Sequence, residues 1–180
     1  MKNLLTINQQ DILTNSPVVD TSNFRKREAA RAVLLDDNGL VYLLNVSKHG
    51  YHKLPGGGID AGEHMKQAVE RELMEEVGCK AEIITELGIV VEYRNYDDDG
   101  LKQTSYCYLA KQVGKQITSA LEEGELAEGM FEVKAKSIDD AIQLLANDNP
   151  DNLEGKFIQK RDIAFLIAAK DASAQATNNN

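Results

Sequence analysis

The stretch LPGGGIDAGEHMKQAVERELMEEVGC, residues 54–79, constrains the fold of this chain more than any other segment. Three glycines follow Pro55, and glycine adopts positive φ angles and lets other groups approach the backbone closely. Downstream, an apolar residue recurs at every fourth position: Met65, Val69, Leu73 and Val77. This spacing predicts an amphipathic helix over 64–77, with Gly78 as its left-handed C-terminal cap. The segment therefore predicts a glycine turn that leads into a helix.

Carboxylates crowd one side of this predicted helix, next to its apolar stripe: Glu72, Glu75 and Glu76. At about 100° per residue the three share one arc that borders the stripe, so they emerge at the edge of the core, as pocket residues would. Like charges at this spacing destabilise a helix by roughly a few tenths of a kcal/mol each, and a bound cation would remove that penalty. Clustered hard oxygen ligands suit Mg²⁺ or Mn²⁺. A solvated acidic helix face is the alternative interpretation.

The fixed positions over 57–79 resemble the Nudix box, the signature of the Nudix hydrolase superfamily. They read Gly57, five residues, Glu63, seven residues, then Arg71-Glu72-Leu73-x-Glu75-Glu76-x-Gly78-Cys79. Every fixed position matches, although Cys79 stands where the family usually has an aliphatic residue. At residue usages of about 6%, chance agreement at the positions that demand one residue type is below about 10⁻⁷ per starting point. The resemblance implies the α/β class, with an α/β/α sandwich around a mixed β-sheet.

The resemblance also implies an activity, which is metal-dependent hydrolysis of a nucleoside diphosphate linked to a second group, by attack of water at phosphorus. It implies that Mg²⁺ or Mn²⁺ is held by the Gly56 carbonyl and three side chains: Glu72, Glu75 and Glu76. It implies that Arg71 orients a glutamate through a salt bridge, and that Glu63 supports the junction of loop and helix. ADP-ribose or a nucleoside triphosphate is the expected substrate class.

Substrate contacts are expected from the glycine turn and from the polar loop before it. Gly57 and Gly58 can present backbone atoms to a ligand. The loop SKHGYHK contains His49 and His52, of which His52 is the candidate substrate contact. A loop histidine that only makes hydrogen bonds within the protein is the competing interpretation.

The general base is left open between two places, because branches of the family differ on this point. It is either Glu72 or a glutamate of the later segment LEEGELAEG, residues 121–129. That segment contains two glycines and no basic residue, and we expect a mobile loop that closes over bound substrate. Its four glutamates are Glu122, Glu123, Glu125 and Glu128. Glu125, at the centre, is the candidate base there.

Other motif assignments fit the glycine turn less well. The letters GGGIDA match the dinucleotide fingerprint formally, but that fingerprint follows directly on an apolar strand, and here the polar SKHGYHKLP precedes it. A P-loop is excluded because the Gly-Lys-Ser/Thr sequence is missing. The alternative function is a nucleotide-sensing domain that resembles the family without catalysis. Such domains usually lack box glutamates, and this chain has all of them.

Composition restricts the partners. The formal net charge of −9 argues against a protein that grips nucleic acid phosphates, so a small-molecule nucleotide is the expected partner. Two cysteines are too few for a disulfide scaffold, and there is no long apolar run, so we expect a cytoplasmic protein without membrane contact.

The chain is divided into an N-terminal extension over 1–24, a hydrolase domain over 25–170 and a small, polar tail over 171–180 that is expected to be disordered. Whether the extension pairs two subunits into a homodimer is left open. Hydrophobic patterns predict strands over 29–35, 40–46, 81–95, 102–113 and 130–135, with turns at 36–39 and 97–100, and helices over 137–146 and 155–169.

Overall fold

The computed structural model describes residues 1–96 and 99–178, and it shows a mixed β-sheet with helices packed on both faces. The strands are β1 (Asn3–Asn8), β2 (Arg25–Leu35), β3 (Val41–Val46), β4 (Tyr51–Lys53), β5 (Gly56–Gly58), β6 (Lys80–Tyr96), β7 (Asp99–Val113) and β8 (Met130–Ala135). The helices are α1 (Met65–Val77), α2 (Glu123–Ala127), α3 (Ile138–Asn147) and α4 (Leu153–Asn178).

The sheet has the strand order β1-β6-β7-β2-β3-β4, while β5 pairs with β2 and β8 pairs with β3. The β1–β6 and β2–β7 pairs are parallel, and the remaining pairs are antiparallel. The predicted turn at 97–100 includes Asp97 and Asp98, which lie outside the described residues. On either side of them, Tyr96 of β6 pairs with Asp99 of β7.

Alternation along the central strands produces one apolar layer on each face of the sheet. Ala30, Ala32 and Leu34 of β2 pack in the same cluster as the apolar stripe of α1. Val33, between them in sequence, belongs to a second cluster with α3 and α4, because successive strand side chains point to opposite faces. This arrangement confirms the predicted α/β class and its three layers.

Helix α1 ends as its sequence predicts. Gly78 has φ 62°, and its amide donates to the carbonyl oxygens of Leu73 and Met74. A Cβ at this position would collide with the Ile117 carbonyl oxygen, so the cap also requires glycine for space. The following Cys79 is completely buried in the apolar layer beneath α1, where a small thiol substitutes for an aliphatic side chain.

Three segments differ from the sequence-based expectations or go beyond them. The N-terminal extension contributes β1, an edge strand parallel to β6 of the same chain. Part of the acidic segment 121–129 forms α2 instead of an open loop. Helix α4 continues through Asn178, where a disordered tail was expected, because its alanines favour the helix; residues 179 and 180 lie outside the described residues. No helix within the described ranges is long and apolar enough to cross a membrane.

Candidate active site

The glycine turn is held tightly between β2 and α1. β5 pairs with β2, placing Gly56 opposite Arg31. Gly56 has φ 131°, and a Cβ on it would collide with the Ala30 carbonyl oxygen. A Cβ on Gly57 would collide with the carboxylate of Glu72. Gly56 therefore requires glycine, while a side chain at Gly57 would displace the Glu72 carboxylate, which lies directly against the backbone of the turn.

Glu76 is the most deeply buried of the box carboxylates, with 2% of its surface exposed. It accepts a hydrogen bond of 2.5 Å from the Gly56 amide and one of 3.1 Å from Nζ of Lys53. Lys53 lies at the end of β4 and is itself mostly buried. The lysine was not among the residues predicted from the sequence, because only the pairing of β4 with β3 brings it to α1.

Arg71 connects the turn to the helix carboxylates. Its Nε and Nη2 donate to the two carboxylate oxygens of Glu63, each at 3.1 Å, and Nη2 also donates to the Gly58 carbonyl oxygen at 2.9 Å. Its Nη1 donates to Glu72 at 2.8 Å and to Glu75 at 3.0 Å. The hydrogen bonds to Glu63, and then those to Glu72, raise the pKa of Arg71 above its ordinary value. The guanidinium thus stays charged and fixes three carboxylates, those of Glu63, Glu72 and Glu75.

These groups line a cleft of about 520 Å³. Its acidic lining consists of Asp60, Glu72, Glu75, Glu76, Glu122, Glu125, Glu128 and Glu154. Its basic lining consists of Arg27, Arg31, Lys53 and Arg71, and Gly56, Gly57 and Gly58 form part of the wall. The structure therefore brings together the box carboxylates, the glycine turn and Glu125, which the sequence places far apart.

The electrostatics of the cleft suit a cation. Burial and then the negative charge of Glu76 raise the pKa of Glu72, and the nearby Arg71 offsets this only in part. Burial, followed by the charge of Glu76, also raises the pKa of Glu125. Within residues 1–96 and 99–178, no three His, Cys, Asp or Glu side chains already surround a common metal position. The donors fit a hard divalent cation in chemistry, and their side chains would have to turn toward it.

Arg31 is a cleft residue that the sequence analysis did not identify. It lies on β2 with 5% of its surface exposed, and its Nε and Nη1 have no hydrogen-bond partner in the described part of the chain. Burial and then the charge of Arg161 lower its pKa to about 10. The available signal was a single arginine within the apolar strand sequence AARAVLL.

A second anchor of the turn comes from α4. The amide of Leu54 donates to Oδ2 of Asp162 at 2.8 Å, and Asp162 also accepts from Arg161 at 2.7 Å. Arg161 and Asp162, which are neighbours on α4, are both completely buried. This carboxylate positions the residue that directly precedes Pro55 and the glycines.

His52 is not among the residues that line the cleft, and its role as a substrate contact stays a prediction. Its Nδ1 lies 2.9 Å from Asp148 Oδ1, and its Nε2 lies 2.8 Å from Asn45 Nδ2. The arrangement fits a neutral ring in which Nδ1–H donates to Asp148 and Nε2 accepts from Asn45. Both ring nitrogens are engaged in joining β3 and β4 to the end of α3. His49 similarly lies 2.9 Å from Asp151.

Known proteins resemble this chain in sequence and in fold. A family model described as NUDIX domain matches residues 25–154. The RNA pyrophosphohydrolase of Erythrobacter litoralis is 24% identical over 151 residues, covering 82% of this chain and 85% of that protein. The RNA pyrophosphohydrolase of Francisella tularensis subsp. mediasiatica is 29% identical over 135 residues, covering 74% and 77%. The crystal structure of the MutT protein from Bacillus halodurans has a TM-score of 0.54 at 21% identity, covering 74% of this chain and 80% of that one.

Proposed function

The chain belongs to the NUDIX domain family and is a hydrolase of that family, and on this premise we propose that it cleaves the diphosphate of a nucleoside diphosphate joined to a second group, using a divalent cation. Membership confirms the family that the box residues indicate. The observation that carries the proposal is one cleft in which buried Glu76 and half-buried Glu72 and Glu75 lie beside Arg31. Nε and Nη1 of this arginine have no hydrogen-bond partner in the described part of the chain. Such a cleft offers oxygen ligands for a cation together with a guanidinium that can donate hydrogen bonds to phosphate.

Glu72, Glu75 and Glu76, with the Gly56 carbonyl, would hold Mg²⁺ or Mn²⁺. When bound, the cation would neutralise charge on the diphosphate and lower the pKa of a water molecule. Arg71 holds Glu72 and Glu75 in place through its Nη1. Lys53 and the Gly56 amide hold Glu76. The chain thus holds the three proposed carboxylate ligands at the cleft before substrate arrives, and each would turn toward the cation on binding.

Two carboxylates are candidates for the general base that takes a proton from the attacking water. Glu72 and Glu125 both line the cleft, and both have a raised pKa. A carboxylate whose pKa is raised toward neutral pH is a stronger proton acceptor, which suits this role. Glu72 accepts a hydrogen bond from Arg71, whereas Glu125 belongs to the short helix α2 and accepts one from the Glu122 amide at 2.9 Å.

ADP-ribose and nucleoside triphosphates are the first substrate classes to test. A triphosphate at the 5′ end of RNA is a second candidate, favoured by the names of the two curated relatives. A depression adjoining Gly58 supports this candidate, because Lys26, Arg27 and Lys102 line it, beside Glu28 and Asp60, and could contact further phosphates.

The test is a panel of these substrates, each incubated with Mg²⁺ or Mn²⁺ and assayed for released monophosphate or pyrophosphate. We expect turnover of at least one substrate class, and loss of that turnover in Glu72→Gln. Glu70→Gln is the matched control, since Glu70 lies on the same helix but is exposed and outside the cleft. Absence of product from every member of the panel would contradict the proposal.

A further inference from the structure

Arg31 stands apart from the other cations of the cleft. Arg71 bonds to Glu63, Lys53 bonds to Glu76, and Arg27 donates to Gln103 at 2.7 Å. Among these cleft cations Arg31 is the exception, because its buried Nε and Nη1 have no hydrogen-bond partner in the described part of the chain. Arg94 and Arg161, which do not line the cleft, each have one such nitrogen. A buried donor without an acceptor is costly, and such groups are rare in folded proteins unless a ligand completes them.

The nearby anions do not supply that acceptor. Glu76 and Asp162 attract Arg31 electrostatically. However, Glu76 already accepts from the Gly56 amide and Lys53, and Asp162 accepts from the Leu54 amide and Arg161. Arg161 and Arg27 repel Arg31, which adds to the unfavourable position of this charge. The free protein therefore keeps an unsatisfied guanidinium in its cleft.

We propose that Arg31 binds phosphate oxygens of the substrate's diphosphate. Its positive charge is available to the ligand, whereas Arg71, Lys53 and Arg27 are bonded to other side chains of the protein. The planar guanidinium carries several N–H donors in a fixed arrangement that matches two oxygens of one phosphate. Its place opposite Gly56 in the β2–β5 register sets it beside the glycine turn and within the same cleft as Glu72 and Glu76. The inference rests on the proposed function and names a phosphate contact for that site.

The test uses inorganic pyrophosphate with Mg²⁺ as the probe, because it carries the diphosphate without the nucleoside. Affinity is measured by calorimetric titration on the full chain for the wild type, Arg31→Met and Arg31→Lys. Arg25→Met is the matched control, because Arg25 lies on the same strand but forms an exposed ion pair with Asp99. Thermal unfolding without ligand is recorded for every variant.

We expect Arg31→Met to lower pyrophosphate affinity at least about tenfold, which corresponds to roughly 1.4 kcal/mol. Its unfolding temperature should stay equal or rise, since an apolar side chain replaces an unsatisfied buried charge. The pyrophosphate affinity of Arg31→Lys should lie between those of the wild type and Arg31→Met, because lysine keeps the charge and lacks the planar guanidinium. Arg25→Met should match the wild type in affinity.

Unchanged pyrophosphate affinity in Arg31→Met would overturn the inference, and a simultaneous fall in unfolding temperature would identify Arg31 as a structural partner of Glu76 and Asp162. If Arg31→Met does not fold, the test uses Arg31→Lys, and an unchanged pyrophosphate affinity in that variant would overturn the inference. A wild type that does not bind pyrophosphate would also overturn it. Turnover of the nucleotide panel is measured separately, so the proposed function can stand when this inference fails.

Discussion

The carboxylate of Glu76 and the backbone amide of Gly56 are joined by a hydrogen bond of 2.5 Å across 20 positions of sequence. This bond ties the last turn of α1 to the glycine turn, and Nζ of Lys53 completes the environment of the same carboxylate at 3.1 Å. Glu76 therefore contributes to the fold and, in the proposed function, to cation binding. Its two contributions can be separated by experiment.

Glu76→Gln should lower kcat at least about 100-fold, or roughly 2.7 kcal/mol, because a proposed cation ligand loses its charge. The metal-free protein should also lose about 1–3 kcal/mol of unfolding free energy, since the buried Lys53 ammonium loses its carboxylate partner. Steady-state kinetics and denaturant unfolding measure the two effects. Full kcat in the variant, as expected for Glu70→Gln, would remove Glu76 from the cation site.

Removal of divalent cations should abolish turnover, because the lining of the cleft has eight acidic side chains and four basic ones. Activity on the preferred substrate is measured in EDTA and after Mg²⁺ or Mn²⁺ is added back. The cations should also raise the unfolding temperature of the wild type, since a ligand that binds only the folded state stabilises it. A protein that turns over at the full rate in EDTA would show that the carboxylates have another purpose.

The general base is identified by comparing Glu72→Gln with Glu125→Gln. If Glu125 is the base, its replacement should lower kcat by at least about 100-fold while Mg²⁺ affinity stays close to that of the wild type. Glu72→Gln should weaken cation binding as well, because Glu72 is also a proposed ligand. Near-full kcat in Glu125→Gln, and in each variant at Glu122, Glu123 and Glu128, would assign the base to Glu72.

Glu92 should make stability depend on pH. Burial opposes its ionisation, but the charges of Arg161 and Arg94 prevail and hold its pKa below the ordinary 4.5. A carboxylate with a lowered folded-state pKa stabilises the protein above its unfolded pKa, and that contribution is lost as the pH falls through the folded value.

Glu92→Gln should accordingly destabilise the protein at pH 7 by about 3–5 kcal/mol, because two buried arginines lose an ionised partner. The gap to the wild type should narrow as the pH falls below about 4.5. Chemical denaturation at a series of pH values measures it. A gap that is constant across this range would show that the ionised form of Glu92 is not what stabilises the fold.

The sequence alone determined the local features of the site. Apolar residues at every fourth position specified α1, and Gly78 specified its end, because both depend on contacts within a few residues. The spacing of the glycines, Arg71 and the box glutamates indicated the family, because all of these residues lie within one continuous segment. Alternation of apolar residues located β2, β3, β6, β7 and the short β8, although β2 begins at Arg25 and not at Ala29.

Tertiary structure decided which distant residues share the cleft. Strand pairing sets Arg31 opposite Gly56 and brings Lys53 to Glu76, while packing of α4 places Asp162 at Leu54. Asn45 of β3 and Asp148 at the end of α3 engage both ring nitrogens of His52. Whether a charged side chain is buried, paired or left without a partner depends on neighbours that are remote in sequence, and periodicity within one segment carries no information about them.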